Sequence, residues 1–376
     1  LDPAESPQRS SMFSLFKRRR KPESLTFKKR VAEFWRWFAK NAERFYATIE
    51  DKRCGDLQPE VSKQMNQLIP GCAWVFGPGA NEIGHSFTFT GEGNRDRQLL
   101  AAYWLSQAPS LPGWTFYSAK QRTPDVTGYK IHFNELVFDP LEFWLTTYVD
   151  EQEERIDVVV WHPAFPKMED RTRWTAIFLY LDEVLGELGT QNWVGEIKVG
   201  DERLADAMPL TEFSSFVDRV VADHGWELSV PGEMWHSYEL KEMRSGPLRA
   251  DIVAGTTCLF HLIQSVKGGH VDPDPLADTG AEYVYIVLPR SVLTPGKEVD
   301  SRGVIEDALS AALEVGWAGR VLGGAVGLDH AYIDLLLVDG VNSLEIVQKV
   351  LQERGLGEGT SIEYFAKSRA AERIAI

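Results

Sequence analysis

Apolar residues at Phe27, Val31, Phe34, Trp35, Phe38, Ala42, Phe45, Tyr46 and Ile49 recur in steps of three, four and one. That spacing lays them along one stripe and predicts an amphipathic helix from about Ser24 to Glu50. Trp37 lies off the stripe, so a large aromatic is expected to meet solvent, a second element or a partner. Strand-like runs follow at Cys72–Phe76 and Ser86–Thr90, separated by Gly77, Pro78, Gly79 and Gly84 in the manner of a hairpin. Helical spacing over Asp96–Ser106 and a strand at Trp114–Tyr117 complete the order ββαβ. The order recurs at Phe143–Val149, Ile156–Trp161, a helix near Trp174–Leu188, and Trp193–Val199. Residues 70–200 thus read as a duplicated ββαβ antiparallel sheet with helices on one face, an α+β layer arrangement.

Beyond residue 200 the pattern predicts a helix at Leu210–Asp223, a strand at Trp235–Lys241 and a helix at Thr256–Val266. Gly268–Pro275 is rich in Gly, Pro and Asp and reads as a linker. After it come a strand at Glu282–Leu288 and a helix at Ser301–Glu314 with Val304, Ile305, Leu309 and Leu313 on one face. A hairpin (Arg320–Val326 with Ala331–Val338), a helix (Ser343–Arg354) and a strand (Ser361–Ala366) complete the order βαββαβ, the ferredoxin-like one. The expected organisation is a disordered basic arm over 1–23, whose residues 1–11 read as a tag or an upstream extension. The N-terminal helix and two ββαβ units occupy 24–200, a mixed connecting region 201–268, and a linker 269–280. A ferredoxin-like domain spans 281–367 and a tail 368–376.

Composition narrows the function classes. With 376 residues, 44% hydrophobic and 25% charged, the chain can bury a sizeable core. No apolar run approaches the roughly 18–20 residues of a membrane-spanning helix. Cys54, Cys72 and Cys258 form no CxxC pair, which suits a reducing, cytoplasmic compartment. The net charge of -15 is uneven: residues 1–53 hold 14 Lys/Arg against 7 Asp/Glu, and the remainder 26 against 48. The acidic body argues against nucleic acid as its ligand and suits a basic protein partner. In the arm, Met12–Phe16 precedes Lys17, Arg18, Arg19, Arg20 and Lys21, the reverse of the order in a secretory signal. Those cations, with Trp37, are the candidate partner-binding residues. Residues 12–21 could dock anionic lipid, RNA or an acidic protein, and the plain reading is a solubilising tail.

Two strings carry a resemblance. Phe34-Trp35-Arg36-Trp37-Phe38, followed by Asn41, Glu43 and Tyr46, and Ala108-Pro109-Ser110-Leu111-Pro112-Gly113-Trp114 resemble a family of uncharacterised bacterial proteins. In that family an FWxWF helix precedes a hairpin and an APxLPxW turn, and the likeness covers about residues 30–200. Gly319–Gly324, with Tyr332-Ile333-Asp334, is similar to a module of related bacterial proteins of unknown role. The resemblance implies kinship and a domain of unknown function, and it brings no functional residues with it.

Candidate chemistry is sparse. Gly319–Gly327 and Gly355–Thr360 lack the Lys of a phosphate-binding loop, so their glycines read as aids to close backbone approach and helix capping. Cys258 and His261, three apart on the expected helix, with His270 and Asp272 following, are the candidate metal ligands. A buried Cys and a hydrogen-bonded core His are the plainer reading, and no cofactor is expected. His132, Asp139, His162 and Asp170 are the candidate catalytic residues, able to serve acid–base chemistry of a hydrolase kind if they converge. No nucleophile motif accompanies them. The sequence therefore favours a non-catalytic binding or regulatory protein, inhibitor or immunity-type being one form. An enzyme and a peripheral membrane protein are the alternatives.

Overall fold

The computed structural model describes residues 25–133, 136–241, 246–266 and 270–376. Lys17–Lys21 of the basic arm lie outside the described residues. Helix α1 (Phe27–Glu50) starts at Thr26, whose hydroxyl accepts the Lys29 amide, and the residues it buries are Phe27, Val31, Phe34, Trp35, Phe38, Ala42 and Phe45. Helix α2 (Gln58–Leu68) was not evident from periodicity, because only Val61, Met65 and Leu68 are buried along a polar segment. Strands β1 (Ala73–Pro78) and β2 (His85–Thr90), helix α3 (Arg95–Ser106) and strand β3 (Trp114–Tyr117) follow. The three strands form one sheet in chain order, β1 antiparallel and β3 parallel to β2. Alternate residues along each strand share a face, and here these are Trp74, Phe76, Phe87, Phe89, Trp114 and Phe116. Rings from α1 and α3 close over that face; Trp35 stacks on Trp104 at 4.4 Å and donates its indole N–H to the Trp104 carbonyl at 2.9 Å.

A short hairpin of β4 (Ile131–Phe133) and β5 (Leu136–Phe138) leads into β6 (Trp144–Asp150) and β7 (Arg155–Trp161). Helix α4 (Asp170–Trp193), β8 (Val194–Val199), β9 (Met208–Pro209) and helix α5 (Leu210–His224) complete this part. Its sheet has the order β8-β7-β6-β9, with β6 antiparallel and β8 parallel to β7. The expected single antiparallel sheet is therefore corrected: the two ββαβ segments build separate sheets. Each holds one parallel pair, because a helical crossover returns its strand in the same direction. Helix α4 breaks at Gly186, where φ is 75° and ψ 161°. The groups freed by the break are taken up by residues 120–123: the Thr123 amide donates to the Glu183 carbonyl, and the Glu187 amide to the Lys120 carbonyl. The Glu187 carboxylate joins the two ββαβ segments, accepting from Thr90 at 2.5 Å, Gln98 at 2.7 Å and the Gly93 amide at 3.0 Å.

The remaining elements are β10 (His236–Glu239), β11 (Ile252–Thr257), α6 (Phe260–Val266), β12 (Glu282–Pro289) and α7 (Glu298–Val315). After them come β13 (Gly319–Gly327), β14 (His330–Leu337), α8 (Val341–Glu353), β15 (Ser361–Tyr364) and β16 (Arg373–Ala375). Seven strands form one antiparallel sheet in the order β10-β11-β13-β14-β12-β15-β16. Thr256 and Thr257 end a strand rather than start the expected helix, since β-branched Ile252, Val253 and the two threonines favour extended backbone. On β12, Tyr283, Tyr285 and Val287 face the N-terminal aromatic core, while Val284, Ile286 and Leu288 face α7 and α8. Burial on both faces explains the near-continuous apolar run. One core thus draws on residues 27–104 and 238–365, and a separate core on residues 126–226. Residues 270–280 are tied into the fold: Val271 exchanges backbone hydrogen bonds with Phe365 and Lys367, and the Phe27 amide donates to the Gly280 carbonyl at 3.0 Å.

Candidate functional site

The chain has 12 tryptophans, and only Trp235 and Trp317 are more than a third exposed, at 50% and 47%. Both line one cavity of about 770 Å³. Helix α3 contributes Leu99 and Tyr103 to it, and helix α7 contributes Glu306, Asp307 and Glu314. Trp317 follows the end of α7 with φ at 47°. That left-handed backbone costs a bulky residue on the order of 1–2 kcal/mol. The Tyr103 hydroxyl donates to the Trp317 carbonyl at 3.0 Å, holding it there.

The acidic wall comes from helical spacing, which sets Asp307, Ser310 and Glu314 on one face of α7. Asp307 and Glu314 have no ion-pair partner among the described residues. Glu306 accepts from Arg302 at 2.8 Å, and burial pushes its carboxyl above the usual range, with Arg302 opposing. This pair lies against Gly324, where a Cβ would stand 2.0 Å from the Glu306 oxygen. Close approach is thus what part of the Gly319–Gly327 string provides. Helix α7 has no basic residue in its last turn; Lys28 of α1 reaches it instead, donating to the Gly316 carbonyl at 2.7 Å. Arg320 also lines the cavity, its guanidinium donating to the Gly232 carbonyl. Against that one cation stand two indoles, the unpaired Asp307 and Glu314, and the Arg302-paired Glu306, a lining that favours a cation.

The sequence candidates fall elsewhere. Trp37 is half-buried, its ring 5.6 Å from Phe34 and 5.3 Å from Phe45. His162 is buried among Phe138, Phe143 and Phe165. Burial pushes its imidazole down, and Glu142 stands 3.4 Å from Nε2. Asp139 is near enough to influence His162, but it pairs with Lys130 at 2.7 Å, which lowers its carboxyl below the usual range. His132 is exposed on β4, and Asp170 is exposed and paired with Arg173. Asp139 and His162 are thus neighbours, and none of the four lines the cavity of Trp235 and Trp317 or that of His261 and His270.

Cys258 sits in the turn between β11 and α6, not on the helix, and its amide donates to the Leu322 carbonyl at 2.8 Å. It is buried, which raises its thiol. His261, His270 and Asp272 line a second cavity of about 430 Å³, where Asp272 is paired with Lys367 at 3.0 Å. Among the described residues no group of three or more His, Cys, Asp or Glu is placed to hold a metal ion. His261 instead stands 3.1 Å from Asp96, whose other bond is from the Tyr283 hydroxyl at 2.8 Å.

Sequence reasoning did not single out Trp235, Trp317 or the acidic face of α7. The one readable signal was the Asp307–Ser310–Glu314 spacing on the predicted helix. No family model, no curated protein and no solved structure matches the chain. No helix among the described residues is long and apolar enough to cross a membrane.

Proposed function

We propose that the protein is a non-catalytic binding protein whose cavity between α3 and α7 receives the lysine or arginine side chains of a basic protein segment. The observation that carries this reading is that the two exposed tryptophans share one cavity with three carboxylates. A cation over an indole contributes roughly 0.5–1 kcal/mol when exposed and about 2 kcal/mol when desolvated. Unpaired carboxylates add steering and register. The net charge of -15 extends the same preference over the body, and capture of a basic protein by an inhibitor or immunity-type chain is one form of it. In the same reading, the matching strand orders of the two ββαβ segments support an origin as copies of one unit. The β13-β14-β12-β15 order supports a ferredoxin-like ancestry for the C-terminal sheet.

Calorimetric titration of the full chain with a Lys-Arg-Arg-Arg-Lys peptide tests the proposal. Saturable binding is expected, weakened about tenfold by Trp317→Ala and by Glu314→Gln. Binding indifferent to both substitutions overturns it, and so does absence of binding by a chain in which Lys17, Arg18, Arg19, Arg20 and Lys21 are replaced by Gln.

One observation favours a second reading, an acid–base enzyme. The buried Asp96 carboxylate backs the His261 imidazole at the edge of the second cavity, an arrangement that orients a general base. Turnover on an ester and phosphoester panel, lost in His261→Gln, would establish it. No turnover on any member would dismiss it.

A further inference from the structure

We propose that the segment occupying this groove in the free protein is the chain's own basic arm, Lys17-Arg18-Arg19-Arg20-Lys21, which a partner's basic segment must displace. The inference rests on the reading of the groove given above and adds its regulation. Its first support is where the chain enters α1. The Phe27 ring lies 5.7 Å from that of Tyr103, and the Lys28 ammonium 2.7 Å from the Gly316 carbonyl. Tyr103 lines the cavity, and Gly316 adjoins Trp317, which lines it too. The first turn of α1 therefore abuts the groove.

Reach and charge supply the rest. Lys21 and Lys17 are four and eight residues before Leu25, so an extended chain carries them about 13–29 Å away at roughly 3.3–3.6 Å per residue. The acidic wall from Glu314 back to Glu306 spans about 12 Å at 1.5 Å per helical residue. The arm is long enough to lie along it. In charge, five consecutive cations complement Asp307 at the middle of α7 and Glu314 in its last turn, beside a helix end whose negative pole Lys28 already meets; Glu306 is already paired with Arg302. A tether this short gives an effective concentration on the order of millimolar, so modest intrinsic affinity keeps the groove filled. A partner succeeds only by binding more tightly than the arm does.

The test uses full-length chains and a fluorescein-labelled peptide with the sequence of residues 12–21, followed by anisotropy. In one variant Lys17, Arg18, Arg19, Arg20 and Lys21 are all replaced by Gln; a second adds Trp317→Ala. The neutralised chain is expected to bind the probe about tenfold or more tightly than the unmodified chain, because the competing segment is gone. Adding Trp317→Ala is expected to abolish that gain. Equal affinity of the unmodified and neutralised chains overturns the arm's occupancy while leaving the groove reading intact. No binding by the neutralised chain overturns the groove reading itself. Sedimentation showing a concentration-dependent dimer that neutralisation dissolves would also overturn intramolecular occupancy, since the arm would then sit in a second copy.

Discussion

Arg249 and Asp334 form a doubly hydrogen-bonded ion pair, at 2.5 and 3.0 Å, between side chains only 3% and 2% exposed. The rings of Tyr285, Tyr332 and Phe365 stand 5.0, 5.3 and 4.9 Å from the guanidinium carbon, so aromatic faces stand in for part of its lost hydration. Removing one partner strands the other charge in the core. Asp334→Ala is expected to destabilise the fold by about 3–5 kcal/mol in urea unfolding. The double variant Arg249→Met, Asp334→Leu should recover most of that loss. A cost for Asp334→Ala below about 1 kcal/mol would contradict the account.

Gly186 is needed where it stands. Its φ is 75°, and a Cβ would lie 3.0 Å from the Lys120 carbonyl oxygen that accepts the Glu187 amide. Gly186→Ala is expected to cost roughly 1–3 kcal/mol through backbone strain and loss of that contact. Thermal unfolding reads the change directly; an unaltered melting point would show that the break in α4 tolerates a side chain.

Asp182 carries a pH signature. Burial raises its carboxyl above the usual range, Glu187 and Glu183 add to the rise, and Thr190 and Lys120 oppose it. A raised folded-state value means that its favourable contribution is complete below the unfolded value, about 3.9, and is lost as pH climbs through the folded one. Asp182→Asn should therefore stabilise the protein at pH 7, and the gain should vanish near pH 3. Denaturant midpoints at the two pH values decide it, and a gain of equal size at both would assign it to packing.

Binding of the basic peptide should be salt-sensitive. Raising ionic strength from about 0.1 M to about 1 M shortens the screening length from about 10 Å to about 3 Å. The contribution of the exposed Asp307 and Glu314 should fall with it, and the affinity by about tenfold or more. A salt-independent affinity would transfer the recognition to the indoles alone.

Most elements were legible because their burial follows a period. The α1 stripe, the alternating aromatics of β1, β2 and β3, and the doubly buried run of β12 all announce themselves. Helix α7 shows how the reading slips: Val304 is 54% exposed, while Arg302 is buried in step with Ile305, Leu309 and Leu313. A charge at a core position looks like a surface charge until Gly324 makes room beside it. The groove was less accessible still. Its walls come from residues 99–106, 235, 256, 306–321 and 336–338, and nothing local in those segments shows that the shared core brings them together.

That shared core sets an order of events during synthesis. The aromatic face built by residues 27–104 is completed by Tyr283, Tyr285 and Phe365, which leave the ribosome only after the intervening module. At about 5–20 residues per second, the wait from Trp104 to Tyr283 is on the order of 10–40 s. For that interval the nascent chain carries an unfinished hydrophobic surface, which makes it a natural client for chaperones. Truncated products ending within the module should aggregate where the finished chain does not.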